Sequence, residues 1–203
     1  MAAKSNLTNM ALVLTGTCLV CSAILAGAYA ITKEPIDAAS AAKTDRAVGQ
    51  VLPPFDETSY EAVDMDGKTY HYYKAVKDGA PVGYAVESTT IGFGGNLALM
   101  VGVTADGVVY NTSVLSHSET PGLGAKCTSD QKFMDQWKGF DPSARILSVK
   151  KDGGDVDAIT ASTITSRAYT QAVANAIAVY KEIAQTPVDA VSGASMKEDP
   201  SDE

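Results

Sequence analysis

A chain of 203 residues with 16 Lys and Arg against 24 Asp and Glu carries a formal charge of -8, which excludes the clustered basic footprint of a nucleic-acid-binding surface and a polybasic hold on an anionic lipid face. Three cysteines and two histidines are too few for a disulfide framework or for a metal site built from histidines, and no metal is expected. The length suffices for an apolar N-terminal segment followed by one domain of about 170 residues with a sizeable core.

The first element is the apolar run Met10 to Ile31, which contains no charged side chain. At about 1.5 Å per helical residue it is long enough to cross a hydrocarbon core of about 30 Å. Gly16, Ser22, Ala23 and Gly27 give it small faces on which neighbouring helices can pack. Ala28-Tyr29-Ala30 has the form of a signal-peptidase site, but the run exceeds an ordinary signal core and its basic flank is thin, so a retained anchor is expected. Cys18 and Cys21 lie inside the run with no lipobox before them and read as packing residues. The short tail 1–9 with Lys4 reads as the cytoplasmic end. That arrangement gives a single-pass protein of the bacterial inner membrane with its bulk on the periplasmic side.

Residues 32–55 read as a linker, partly helical around Asp37 to Val48 and closed by Pro53-Pro54. A domain over 56–187 follows. Its turns are Asp64-Met65-Asp66-Gly67, Lys77 to Pro81 and Ala105-Asp106-Gly107. They separate strands expected at Lys68–Val76, Val82–Thr90, Leu97–Thr104 and Val108–Leu115, a hairpin pattern that predicts an antiparallel sheet rather than βαβ units. The stretch Gly92 to Gly95 lacks the spacing and the Lys-Ser/Thr ending of a phosphate loop and reads as a sharp connection between strands. A helix is expected at Ser129–Trp137 and a strand at Arg145–Lys150. A long helix is expected from Thr163 to Ala184, with Ala168, Ala172, Val173, Ala176, Ile177, Tyr180 and Ile183 as its core stripe. The acidic tail 188–203 is expected to be disordered. The fold class is α+β.

Two stretches carry candidate chemistry. Asp157 to Arg167 is a small, hydroxyl-rich turn opening the long helix, and the amides and positive dipole end of a helix N-terminus attract anions. Thr163 is placed to hold a phosphate. The same pattern also reads as plain helix capping by Thr160, Ser162 or Thr163, with Arg167 on the surface. The second stretch, His117 to Gly124, contains a Pro-Gly turn whose backbone can approach a flat ring, with Leu123 as an apolar contact. Ser116-His117-Ser118 lacks a nucleophile elbow or triad context.

The first stretch resembles the flavinylation motif of the RnfG and NqrC family, whose pattern is Asp-x-x-Ser/Thr-Gly-Ala-Thr, often continued by x-Thr-Ser. Asp157, Thr160 and Thr163 fall on that pattern and Thr165 and Ser166 continue it, while Ala161 and Ser162 stand where the pattern has Gly and Ala. Asp189 to Ser195 also follows it, with Ser195 at the acceptor position and no helix expected behind it. Glu119-Thr120-Pro121-Gly122-Leu123-Gly124 is similar to the family loop beside the isoalloxazine ring.

The resemblance implies FMN held by a phosphoester to Thr163, with Ser195 as the alternative, attached from FAD by a flavin transferase. It implies ring contacts from Glu119, Thr120, Pro121, Gly122, Leu123 and Gly124. It further implies a subunit of a translocase, an Rnf-type membrane complex that couples electron flow between ferredoxin and NAD to sodium or proton movement. The other subunits of that complex would be its partners. The chain has neither an iron–sulfur cysteine set nor a dinucleotide fingerprint, so its own part would be electron carriage. An NqrC-like member of a sodium-pumping NADH:quinone reductase and a non-redox membrane-anchored binding or assembly domain are the alternatives, and the short chain fits the first reading better.

Overall fold

The structure, a computed structural model, describes residues 6–185, which fall into two compact units divided between Asp45 and Arg46. The first is formed by most of α1 (Leu7–Val51), a continuous helix that accommodates Pro35 in its interior. It is long and apolar enough to cross a membrane, and the expected span from Met10 to Ile31 lies within it. The stretch expected as a partly helical linker is helical through Val51, because its Ala-rich sequence after Pro35 favours helix throughout.

The second unit begins with the last turns of α1 and continues as a five-stranded antiparallel meander in the order β1-β2-β3-β4-β5. The strands are β1 (Glu57–Met65), β2 (Lys68–Lys77), β3 (Ala80–Ile91), β4 (Asn96–Thr104) and β5 (Val109–His117). Two of the hairpins turn on two residues each, Asp66-Gly67 and Asp78-Gly79, and all four have positive φ. That is the twist-matched turn which Asp-Gly favours. The sheet is followed by a short 3-10 turn (Gly124–Thr128), α2 (Gln131–Asp135), a second 3-10 turn (Lys150–Asp152) and α3 (Thr163–Gln185).

The interior strand β4 is buried almost throughout, because both of its faces are covered. Leu97, Leu99, Val101 and Val103 belong to the main core, with Ala172, Val173, Ala176 and Ile177 of α3. Phe133, Trp137, Phe140 and Tyr169 extend this core as an aromatic cluster in which Trp137 stacks on Tyr169 at 5.2 Å. On the other face Met100, Ala75 and Ala85 pack with Ala47, Val48, Val51 and Leu52. Gly102 permits this approach, since a Cβ there would stand 1.6 Å from the Val51 carbonyl oxygen.

Two expected elements differ. The helix expected over Ser129–Trp137 is confined to Gln131–Asp135, where Asp130 caps it by accepting from the amides of Lys132 and Phe133. No strand spans Arg145–Lys150; a single parallel bridge joins Val149 to Val156. Leu147 and Val149 reach the core while Ile146 is exposed, so the segment has too little to bury on one face to hold a strand. It folds instead around Asp155, whose carboxylate accepts from the Ile146 amide at 2.6 Å.

A candidate flavin site at the start of the last helix

The turn before α3 is held in place by side chains that grip its backbone. The Gln136 amide clamps Asp157, accepting from its N–H at 2.8 Å and donating to its carbonyl at 3.0 Å. Ser166 Oγ accepts from the Ile159 N–H and donates to the Ser162 carbonyl, each at 2.9 Å. Ala161 sits at φ 63°, a left-handed conformation that costs a residue with a Cβ about 1–2 kcal/mol.

The 3-10 turn Lys150–Asp152 lies beside this stretch and touches it through three consecutive side chains. Lys150 pairs with Asp157 at 2.8 Å, Lys151 Nζ donates to Thr163 Oγ1 at 3.1 Å, and Asp152 receives two hydrogen bonds from Arg167 at 2.7 and 2.6 Å. The Lys150 hydrogen bond holds the Asp157 carboxyl below the ordinary carboxylate range. Arg167 does the same for Asp152, and its own guanidinium is pushed up in turn.

The loop after β5 meets this stretch through Glu119, which is 5% exposed. One carboxylate oxygen accepts from the amides of Phe93 and Gly94 at 2.8 and 3.4 Å. The other accepts from the Thr165 hydroxyl at 2.7 Å. A buried carboxylate is tolerated when several donors surround it. The close fit requires glycines: a Cβ at Gly92 would lie 1.9 Å from Glu119 Oε1, and one at Gly124 would lie 2.3 Å from Oε2. Nearby, burial first and the Glu119 charge second push the Cys127 thiol up to about 11.

Between these parts lies a cavity of about 310 Å³ lined by Phe93, Glu119, Thr120, Leu123, Gly124 and residues 161–165. Phe93, Leu123 and Ile164 give it exposed apolar walls, a composition suited to a flat organic ligand. Of the hydroxyl-bearing residues here, Ser162, Thr165 and Ser166 are buried, and Thr163 is half-buried and lines the cavity. Thr160 is exposed and, like Asp157, stands outside the lining; Asp157 faces Lys150.

Of the residues expected at the ring, Glu119, Thr120, Leu123 and Gly124 line the cavity. Pro121 and Gly122 form the exposed turn beyond it, with Gly122 at φ 76°. The Asp189 to Ser195 stretch lies outside the described residues. Phe93, Ile164 and Lys151 are additions to the expected set. An aromatic flanked by glycines in a strand connection was the available signal for Phe93; Lys151 had none.

An FMN-binding domain family model matches residues 92–178, from the Phe93 loop to the body of α3. The chain is 39% identical over 160 residues to the G subunit of the ion-translocating oxidoreductase complex of Erwinia tasmaniensis, covering 71% of this chain and 75% of the relative. It is 37% identical over 167 residues to the G subunit of the proton-translocating ferredoxin:NAD(+) oxidoreductase complex of Clostridium ljungdahlii, covering 81% and 86%. The fold resembles that of a solved C subunit of a Na(+)-translocating NADH-quinone reductase from Parabacteroides distasonis. The TM-score is 0.50 at 21% identity over 72% of this chain and 84% of the other. The chain belongs to the family of G subunits of ion-translocating oxidoreductase complexes.

Proposed function

We propose that this chain is the electron-carrying subunit of an Rnf-type complex and holds FMN by a phosphoester to Thr163. In that complex it passes electrons along the route between ferredoxin and NAD, the couple named for the Clostridium relative. The observation that carries this reading is the meeting of two sequence-distant stretches at one cavity, latched by the Thr165–Glu119 hydrogen bond at 2.7 Å.

The residues present fit such a group. Thr163 offers a partly exposed hydroxyl in the first turn of a 23-residue helix, where amides without helical partners favour an anion. Leu123, Phe93 and Ile164 offer apolar surface to a ring, and Gly124 lies in the same lining. Bound there, FMN supplies one- and two-electron redox chemistry. The chain's own residues bind it, orient it and keep water from one side of it. Covalent attachment suits a domain outside the cytoplasm, where a dissociated cofactor is lost. A flavin transferase is the maturation partner, the span from Met10 to Ile31 is the membrane anchor, and the domain lies on the extracytoplasmic side.

The full chain co-expressed with a flavin transferase is expected to give a band that fluoresces under ultraviolet light after denaturation. Its intact mass should exceed the bare chain by one esterified FMN. Thr163→Ala should lose both signals. A colourless wild-type chain would sink the carrier reading, and signal lost only in Ser195→Ala would move the attachment.

A further inference from the structure

The turn Lys150–Asp152 presents three charged residues to the Asp157 to Arg167 stretch, and two have charged partners. Lys150 is taken by Asp157 and Asp152 by Arg167. Lys151 pairs with no carboxylate among the described residues; its ammonium is directed at Thr163 Oγ1. We infer that Lys151 is a positioning residue for modification at Thr163: it orients the acceptor oxygen and neutralises the phosphate anion that esterification brings to it. This rests on the reading of Thr163 as the acceptor.

Three features make the contact more than a wandering surface lysine. The turn is pinned on both sides of Lys151 by the flanking ion pairs, one of them a two-bond Arg–carboxylate contact. Behind it the chain reverses through Gly153 at φ 83°. It then passes so close to Ser148 that a Cβ on Gly154 would lie 2.1 Å from the Ser148 carbonyl oxygen. The third feature is directional. An ammonium only donates, so Thr163 Oγ1 accepts and its own hydrogen points away from Lys151, toward whatever base removes it.

The charge that the reaction leaves at Thr163 suits what Lys151 offers. Transfer from flavin adenine dinucleotide forms the Oγ1–P bond, breaks the pyrophosphate P–O bond, and releases AMP and the hydroxyl proton. The dinucleotide dianion becomes a phosphodiester with one negative charge, AMP as a dianion and a proton. That remaining negative charge persists at every pH near neutral. It lies on the non-bridging oxygens of the phosphorus bonded to Oγ1, close to an ammonium whose nearest carboxylate, Asp152, is already held by two hydrogen bonds from Arg167.

The test is the rate at which full-length chain in detergent gains the mass of FMN when mixed with a flavin transferase and flavin adenine dinucleotide. Lys151→Ala is expected to slow loading about fivefold at low salt, the scale of a partly exposed charged hydrogen bond. Lys151→Glu should slow it further and Lys151→Arg should restore most of the rate. The gap between wild type and Lys151→Ala should narrow between about 0.05 and 0.5 M salt, as screening weakens the ammonium. In chains loaded to completion, the phosphodiester phosphorus NMR line should shift in Lys151→Ala, which loss of transferase docking alone would not produce.

Equal loading rates for wild type and Lys151→Ala at low salt would overturn the inference. An arginine variant as slow as the alanine one, or an unmoved phosphorus line, would do the same. Thr163→Ala separates the two readings. A blank Thr163→Ala with loading indifferent to Lys151 removes only the role of Lys151, whereas a Thr163→Ala chain that still loads removes the acceptor and Lys151 together.

Discussion

Ala161 is strained, and the strain is local to the site. Its φ of 63° places a Cβ where L-residues other than Asn and Asp seldom go, and glycine occupies the same conformation without penalty. The flavinylation pattern that this stretch resembles has Gly at this position, and the left-handed backbone supplies a physical reason for it. Ala161→Gly is therefore expected to stabilise the domain by about 0.5–1 kcal/mol, after allowing for the extra freedom glycine gains in the unfolded chain. That corresponds to a melting increase of about 1–4 °C. The single tryptophan, Trp137, is fully buried, so its fluorescence can follow the transition. A lower melting temperature for Ala161→Gly would show that the turn relaxes away from this conformation in solution.

The elements around the cavity are joined through one carboxylate. Glu119 ties the β3–β4 connection, its own loop and the first turn of α3 together, with Thr165 as the donor from the helix. Removing that hydroxyl leaves a buried carboxylate oxygen without its partner, a loss of about 1–3 kcal/mol. Thr165→Val is thus expected to lower the urea midpoint of Trp137 fluorescence, while Thr165→Ser keeps it. An unchanged midpoint in the valine variant would mean that water replaces the hydroxyl and that the latch is not closed. The hairpins were legible because Asp-Gly pairs state their own turn type, and α3 was legible because its apolar spacing runs over several turns. The stretch that opens α3 was legible as a helix start rich in hydroxyls. The partnership of Glu119 with Thr165 was not, since residues 46 positions apart leave no local pattern. For the same reason the Gly92 to Gly95 stretch read as an ordinary connection, although its missing side chains are what let Glu119 enter. The segment Arg145–Lys150 misled because a brief apolar alternation is shared by strands and by loops that tuck one valine inward.

At the scale of the whole molecule, the question is where the soluble domain begins. The sequence put its start near residue 56, after the two prolines. The core argues for an earlier one. Val48, Val51 and Leu52 are 4%, 0% and 3% exposed against Ala75, Ala85 and Met100, and each such side chain contributes about 1.5–3 kcal/mol when fully buried. Their combined share is on the order of 5 kcal/mol, as large as the entire net stability of many domains. Without them the sheet face around Met100 opens to water as an apolar patch of the kind that drives association. A chain beginning at residue 46 is expected to be monodisperse without detergent and to unfold in one cooperative step. A chain beginning at residue 53 should aggregate or melt far lower. Matching urea midpoints for the two would show that the last turns of α1 are dispensable to the sheet. The geometry at Gly102, where no Cβ can stand beneath the Val51 carbonyl, makes the opposite result the expected one: that glycine has a steric reason to be there only if the helix end stays docked.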